Sequence, residues 1–191
     1  MRQRMLLLSL GAVVTLGATQ APPPQAPPDA DVIRERMLQG IDPTLLSQAE
    51  QKGLYDREMY PVWREMNPFF LRGDFNGDGQ LDLAFWVTEK SSGQTGVAIV
   101  HSTLDTLYLY GAGKPGPRGE GRGLEFGVDA WHILPVGSVE SHPFGNIPEI
   151  GLKDGVPFRF ERETLEFVQT GKSAFVCYWA KGRYWQFWTA D

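Results

Sequence analysis

An α+β architecture is the expectation for this chain, with N-terminal helices packed on a mainly antiparallel β-sheet. Three observations lead there. Residues 30–66 carry apolar side chains at helical spacing, whereas residues 67–191 break into short β-branched and aromatic runs bounded by Gly, Pro, Asp or Ser. The last such run is a hairpin, which makes neighbouring strands antiparallel. With 191 residues in all, 30–191 suits one domain of ordinary size.

The chain opens with Arg2 and Arg4, an apolar run from Met5 to Leu16, and then small residues. That layout predicts a secretory signal peptide over 1–21, cleaved near Ala18 or Ala21; left uncleaved, it would be an N-terminal membrane anchor. The expected location is therefore secreted or periplasmic. Residues 22–29 are a proline-rich spacer. Ile33, Met37 and Ile41 then recur at four-residue spacing. Asp42-Pro43 is a helix start, with Leu45, Leu46 and Ala49 as its apolar stripe and Gly53 beyond its end. A third helical stretch is expected from Asp56 to Met66, limited in regularity by Pro61.

Strands are expected at Phe69–Leu71, Leu81–Thr88, Gly96–His101, Thr106–Tyr110 and Ala130–Pro135, and over 156–161 and 164–169. Residues 173–188 read as strand, a Lys181-Gly182 turn, and strand. That turn pairs Trp179 with Tyr184 and Phe175 with Trp188 on one face, and Tyr178 with Trp185 and Val176 with Phe187 on the other. Both faces are apolar, so one meets the core. The other is either covered by the helices or presented to a glycan or protein partner, a role that suits contiguous aromatic surface.

Residues 73–85, GDFNGDGQLDLAF, concentrate acidic side chains in one tight turn before an apolar strand. Carboxylates at alternate loop positions converge while glycines let the backbone curl. Hard cations such as calcium take roughly six to eight oxygens from carboxylates, amides and carbonyls. Asp74, Asn76 and Asp78 fit the first, third and fifth positions of such a loop, Gln80 offers its main-chain carbonyl, and Asp82 takes the ninth. An EF-hand would need a bidentate Glu at the twelfth position, where Phe85 stands, and helical flanks.

The stretch resembles the calcium loop of FG-GAP and VCBS-type repeats, as in integrin α-chain propellers, where D-x-N-x-D-G-x-x-D joins two strands. Asp74, Asn76, Asp78, Gly79 and Asp82 match that pattern, and Leu81, Leu83 and Phe85 fit its apolar strand. The resemblance implies bound calcium and a blade-like hairpin. It does not imply a full propeller, which needs about four to eight blades of roughly 40 residues each. The alternative is a metal-free NGDG hairpin turn.

Other motifs offer less. GAGKPG at 111–116 matches G-x-G-x-x-G, but Pro115, Pro117 and the glycines after them oppose the helix that a dinucleotide site requires. His101, His132 and His142 lack metal-ligand spacing, and no G-x-S-x-G occurs. Ser102 follows His101, a pairing that only geometry can make catalytic. Glu161, Glu163 and Glu166, interleaved with Arg159 and Arg162, read as solvated surface. Cys177, the single cysteine, sits among apolar neighbours and reads as buried and inert. The net charge of −5 provides no basic field for nucleic acid. The expected function is an exported, calcium-stabilised binding or structural module. The competing classes are an extracytoplasmic hydrolase with dispersed catalytic residues and a structural domain with a metal-free loop.

Overall fold

The computed structural model describes residues 43–63, 65–103, 106–115 and 127–190. The expected signal peptide, the spacer, the helix around Ile33–Ile41 and most of the 111–123 glycine-rich segment lie outside them.

The α+β expectation is overturned. Ten strands in three antiparallel sheets dominate, and the one α-helix among the described residues is α1, Pro43–Gln51. No helix among those residues is long and apolar enough to cross a membrane. The described residues between Asp56 and Met66 are not helical, and their hydrogen bonds explain why. Asp56 Oδ1 accepts the N–H groups of Glu58 and Met59, closing a turn. Beyond it the backbone runs beside the second strand: Trp63 N–H donates to the Trp86 carbonyl at 2.8 Å and Thr88 N–H to the Pro61 carbonyl at 3.0 Å. A segment whose neighbours supply ladder partners does not need helical ones.

The first sheet is a meander of β1 (Phe70–Gly73), β2 (Asp82–Thr88), β3 (Thr95–Val100) and β4 (Leu107–Gly111). The second contains β5 (Ala130–Leu134), β8 (Thr164–Gln169), β9 (Ser173–Ala180) and β10 (Arg183–Ala190), in the order β10-β9-β8-β5. Two short strands, β6 (Val139–Glu140) and β7 (Phe158–Arg159), pair between β5 and β8 in sequence.

Period-two alternation sends Ala84 and Trp86 of β2, Val97 and Ile99 of β3, and Tyr110 of β4 to one side. They meet Trp131, Phe167, Phe175, Cys177 and Trp179 of the second sheet. Leu83, Phe85 and Val87 face the other way and are covered by Leu46 and Ala49 of α1 and by Tyr55, whose ring meets Phe85 edge-on at 5.1 Å. The outer side of the second sheet, with Val176, Tyr178 and Phe187, is covered by Leu152, Phe158 and Phe160. Both sheets are therefore covered on both faces. This is why β2 and β9 read as near-continuous apolar runs rather than alternating ones.

The β9–β10 register is the expected one: Trp179 pairs with Tyr184, Tyr178 with Trp185, Val176 with Phe187 and Phe175 with Trp188. What covers its second face is the 147–160 segment, not the N-terminal helix. Trp179 is buried, and Trp185 and Trp188 are half-buried. Cys177 is also buried, and burial pushes its thiol well above the usual range.

Candidate cation loop between β1 and β2

Asp74, Asn76, Asp78, Gln80 and Asp82 all belong to the connection from β1 to β2 or to the first residue of β2. Gly77 and Gly79, at φ +80° and +82°, take the left-handed conformations that curl the backbone. Asp74 Oδ1 accepts N–H bonds from Gly77 at 2.8 Å and Asp78 at 3.0 Å, and its Oδ2 accepts Gly79 N–H at 2.8 Å. Asn76 Oδ1 accepts Asp78 N–H at 2.9 Å. Asp78 Oδ1 accepts Gln80 N–H at 2.8 Å, while its Oδ2 takes the Asn76 amide at 2.8 Å and the Thr103 hydroxyl.

Asp82 behaves differently. It is buried, with Oδ2 accepting the N–H groups of Phe75 and Asn76 at 3.0 and 3.3 Å, and Oδ1 accepting Ser102 N–H at 3.0 Å. The carboxylate thus clamps the loop to the end of β3. Burial pushes its pKa up to about 6, against these three backbone donors and with the Asp78 charge adding to the rise. For Asp78 burial also acts upward, but hydrogen bonds from Thr103, Asn76 and Gln80 prevail and its pKa is lowered.

The second sheet holds the loop from the other side. Asp74 N–H donates to Glu163 Oε2 at 2.6 Å, and Arg162 Nη1 donates to the Asn76 carbonyl at 2.8 Å. Gly73 makes the first contact feasible, since a Cβ there would lie 2.6 Å from Glu163 Oε2. Arg162 and Glu163 are thus not the solvated surface that their sequence suggests. They lie more than eighty residues from the loop, and no local pattern signals the contact.

His101 is a further participant that spacing did not reveal. It is buried at the end of β3, with Nδ1 3.4 Å from the Asn76 amide nitrogen and Nε2 2.8 Å from the Tyr184 hydroxyl. Burial drives its pKa down to about 4, despite the Asp78 and Asp74 charges. With the Asn76 amide donating, Nδ1 is the acceptor and Nε2–H donates to Tyr184. Both ring nitrogens are engaged away from Ser102, so the two residues form no Ser–His pair.

Among the described residues, no group of three or more His, Cys, Asp or Glu side chains is arranged to hold a metal ion. The donor chemistry nevertheless fits a hard cation. Among the described residues, Asp74 Oδ2, Asn76 Oδ1, Asp78 Oδ1 and Asp82 Oδ1 each accept a single hydrogen bond, and an sp² oxygen has two lone pairs. The fold and loop together define a two-sheet antiparallel β protein with an oxygen-rich loop at the end of one sheet, clamped by the other. No family model, curated protein or solved structure matches the chain.

Proposed function

We propose that this chain is an extracytoplasmic binding or structural module whose β1–β2 loop takes up calcium. The observation that supports this most is the set of singly bonded oxygens on Asp74, Asn76, Asp78 and Asp82, within one loop that its own amides curl and the second sheet holds. The D-x-N-x-D-G-x-x-D resemblance points the same way, and the signal-like N-terminus agrees with calcium-rich surroundings. Asp74, Asn76, Asp78 and Asp82 would supply side-chain oxygens and Gln80 its carbonyl. The cation would supply positive charge among three aspartates, converting their mutual repulsion into attraction.

One observation favours the metal-free reading instead. Each of the six carboxylate oxygens of Asp74, Asp78 and Asp82 already accepts a hydrogen bond. The two readings separate on thermal unfolding in calcium and in chelator. Extracellular calcium modules often bind at about 0.1–1 mM. At a free concentration tenfold above the dissociation constant, linkage adds about 1.4 kcal/mol, or about 3–6 °C for a domain of this size. Asp78→Ala is expected to remove that shift while leaving the calcium-free protein folded. Equal melting temperatures in calcium and chelator would leave the loop as a turn.

A further inference from the structure

We propose that the hollow between the Phe158–Arg162 segment and the β9–β10 turn binds a small organic monocarboxylate, anchored by Arg162. The cavity measures about 320 Å³, within the range of small-molecule sites. Phe158 and Tyr178, both buried and edge-on at 5.4 Å, form part of its wall and offer ring surface to an apolar ligand body.

Charge selects the ligand class. Arg159, Arg162 and Lys181 line the hollow together with Glu149 and Glu161, so three cations against two carboxylates leave a net charge of +1. Ion pairs found among the described residues lie elsewhere, as at Arg57 with Glu50 and Lys90 with Glu58. None of these three cations has a carboxylate within ion-pair distance among the described residues. A monoanion matches that balance, whereas a dianion such as a phosphate monoester would leave the hollow with a net charge of −1.

Arg162 is the best-placed anchor. Its Nη1 is fixed on the Asn76 carbonyl, and its guanidinium carbon lies 5.8 Å from the centre of the Tyr178 ring. Its Nε is buried and has no acceptor among the described residues. The guanidinium edge formed by Nε and Nη2 is thus pre-oriented and lacks a partner, and that edge matches a carboxylate bidentately. Nε is buried, so a ligand carboxylate reaches it only by displacing the side chains around it. Arg159 is tied at 3.0 Å to the Gly137 carbonyl, and Lys181 is exposed on the turn, so both act as supporting charges.

This site does not depend on the loop holding a cation, and its test is run in both calcium and chelator. Benzoate is titrated into the full chain by calorimetry and by amide chemical-shift mapping, with benzamide as the neutral control and phenyl phosphate as the dianion. The expected result is saturable benzoate binding that shifts amides of 149–162 and 178–181, with no benzamide binding and weaker phenyl phosphate binding. Arg162→Gln should weaken benzoate binding by about tenfold or more, as loss of a charged hydrogen-bond pair does. If that variant loses its far-UV signal, the Arg159→Gln/Lys181→Gln pair decides, with about threefold weakening or more expected. Absent benzoate binding, equal binding of benzamide, or full affinity in the substituted proteins would overturn the site.

Discussion

A tyrosine hydroxyl loses its proton readily only where water can reach the phenolate. Tyr110 and Tyr184 are buried between the sheets, and burial raises the pKa of each, with Cys177 and Tyr108 adding to the rise at Tyr110, and Asp82, Tyr110, Cys177 and Tyr108 to that at Tyr184. Their folded values lie above the unfolded value of about 10, so their contribution to stability is complete below that pH and is lost as the pH rises further. Two of the six tyrosines should therefore ionise only as the protein unfolds. Absorbance at 295 nm and far-UV circular dichroism, followed together on raising the pH, check this. Complete ionisation with an intact dichroism signal would contradict the packing. At this scale the loop itself was legible, because alternate acids and glycines are local features. Its clamps at His101, Arg162 and Glu163 were not, because each is brought to the loop only by tertiary folding.

The β9–β10 hairpin was the most legible element. Lys181-Gly182 between two apolar runs set the turn, and a two-residue turn leaves one register. Lys181 and Gly182 adopt φ +54° and +76°, the left-handed pair of a type I′ turn. Lysine is strained there and asparagine far less so. Lys181→Asn is accordingly expected to raise the unfolding free energy by about 0.5–1 kcal/mol, measured by urea denaturation. A lower stability for Lys181→Asn would indicate that the Lys181 side chain contributes more than its backbone strain costs. The Asp56–Met66 segment was misread for the opposite reason. Its composition tolerates a helix, but its backbone partners come from β2 and are invisible to local periodicity.

The whole molecule is organised around the layer between the sheets. Trp86 lies there with ring centroids 5.6 Å from both Trp63 and Trp131 and 6.1 Å from Phe167, so residues of both sheets share one cluster. Neither sheet can lose its inner face without exposing the other's. Unfolding in denaturant should therefore be a single transition, with tryptophan fluorescence and far-UV dichroism sharing one midpoint and slope. Separate midpoints would mean that the sheets open independently. The strands on which this layer depends were readable from their apolar runs, but the covering of both sheets was not. Residues 147–155 have no regular period, and the short run at 156–161 does not reveal its target, yet Leu152, Phe158 and Phe160 are buried against β9 and β10.

The long reach of the Asp74–Glu163 bond also bears on the order of events during folding. It joins positions 89 residues apart, and the Arg162–Asn76 bond joins positions 86 apart. Contacts this distant form only after the entropy of closing a long chain segment has been overcome. The β1–β2 turn can curl early through its own amides, but its final shape awaits the arrival of β8. The acidic loop is therefore expected to curl early and to take its final form late, an order that pulsed hydrogen exchange on its amides would check.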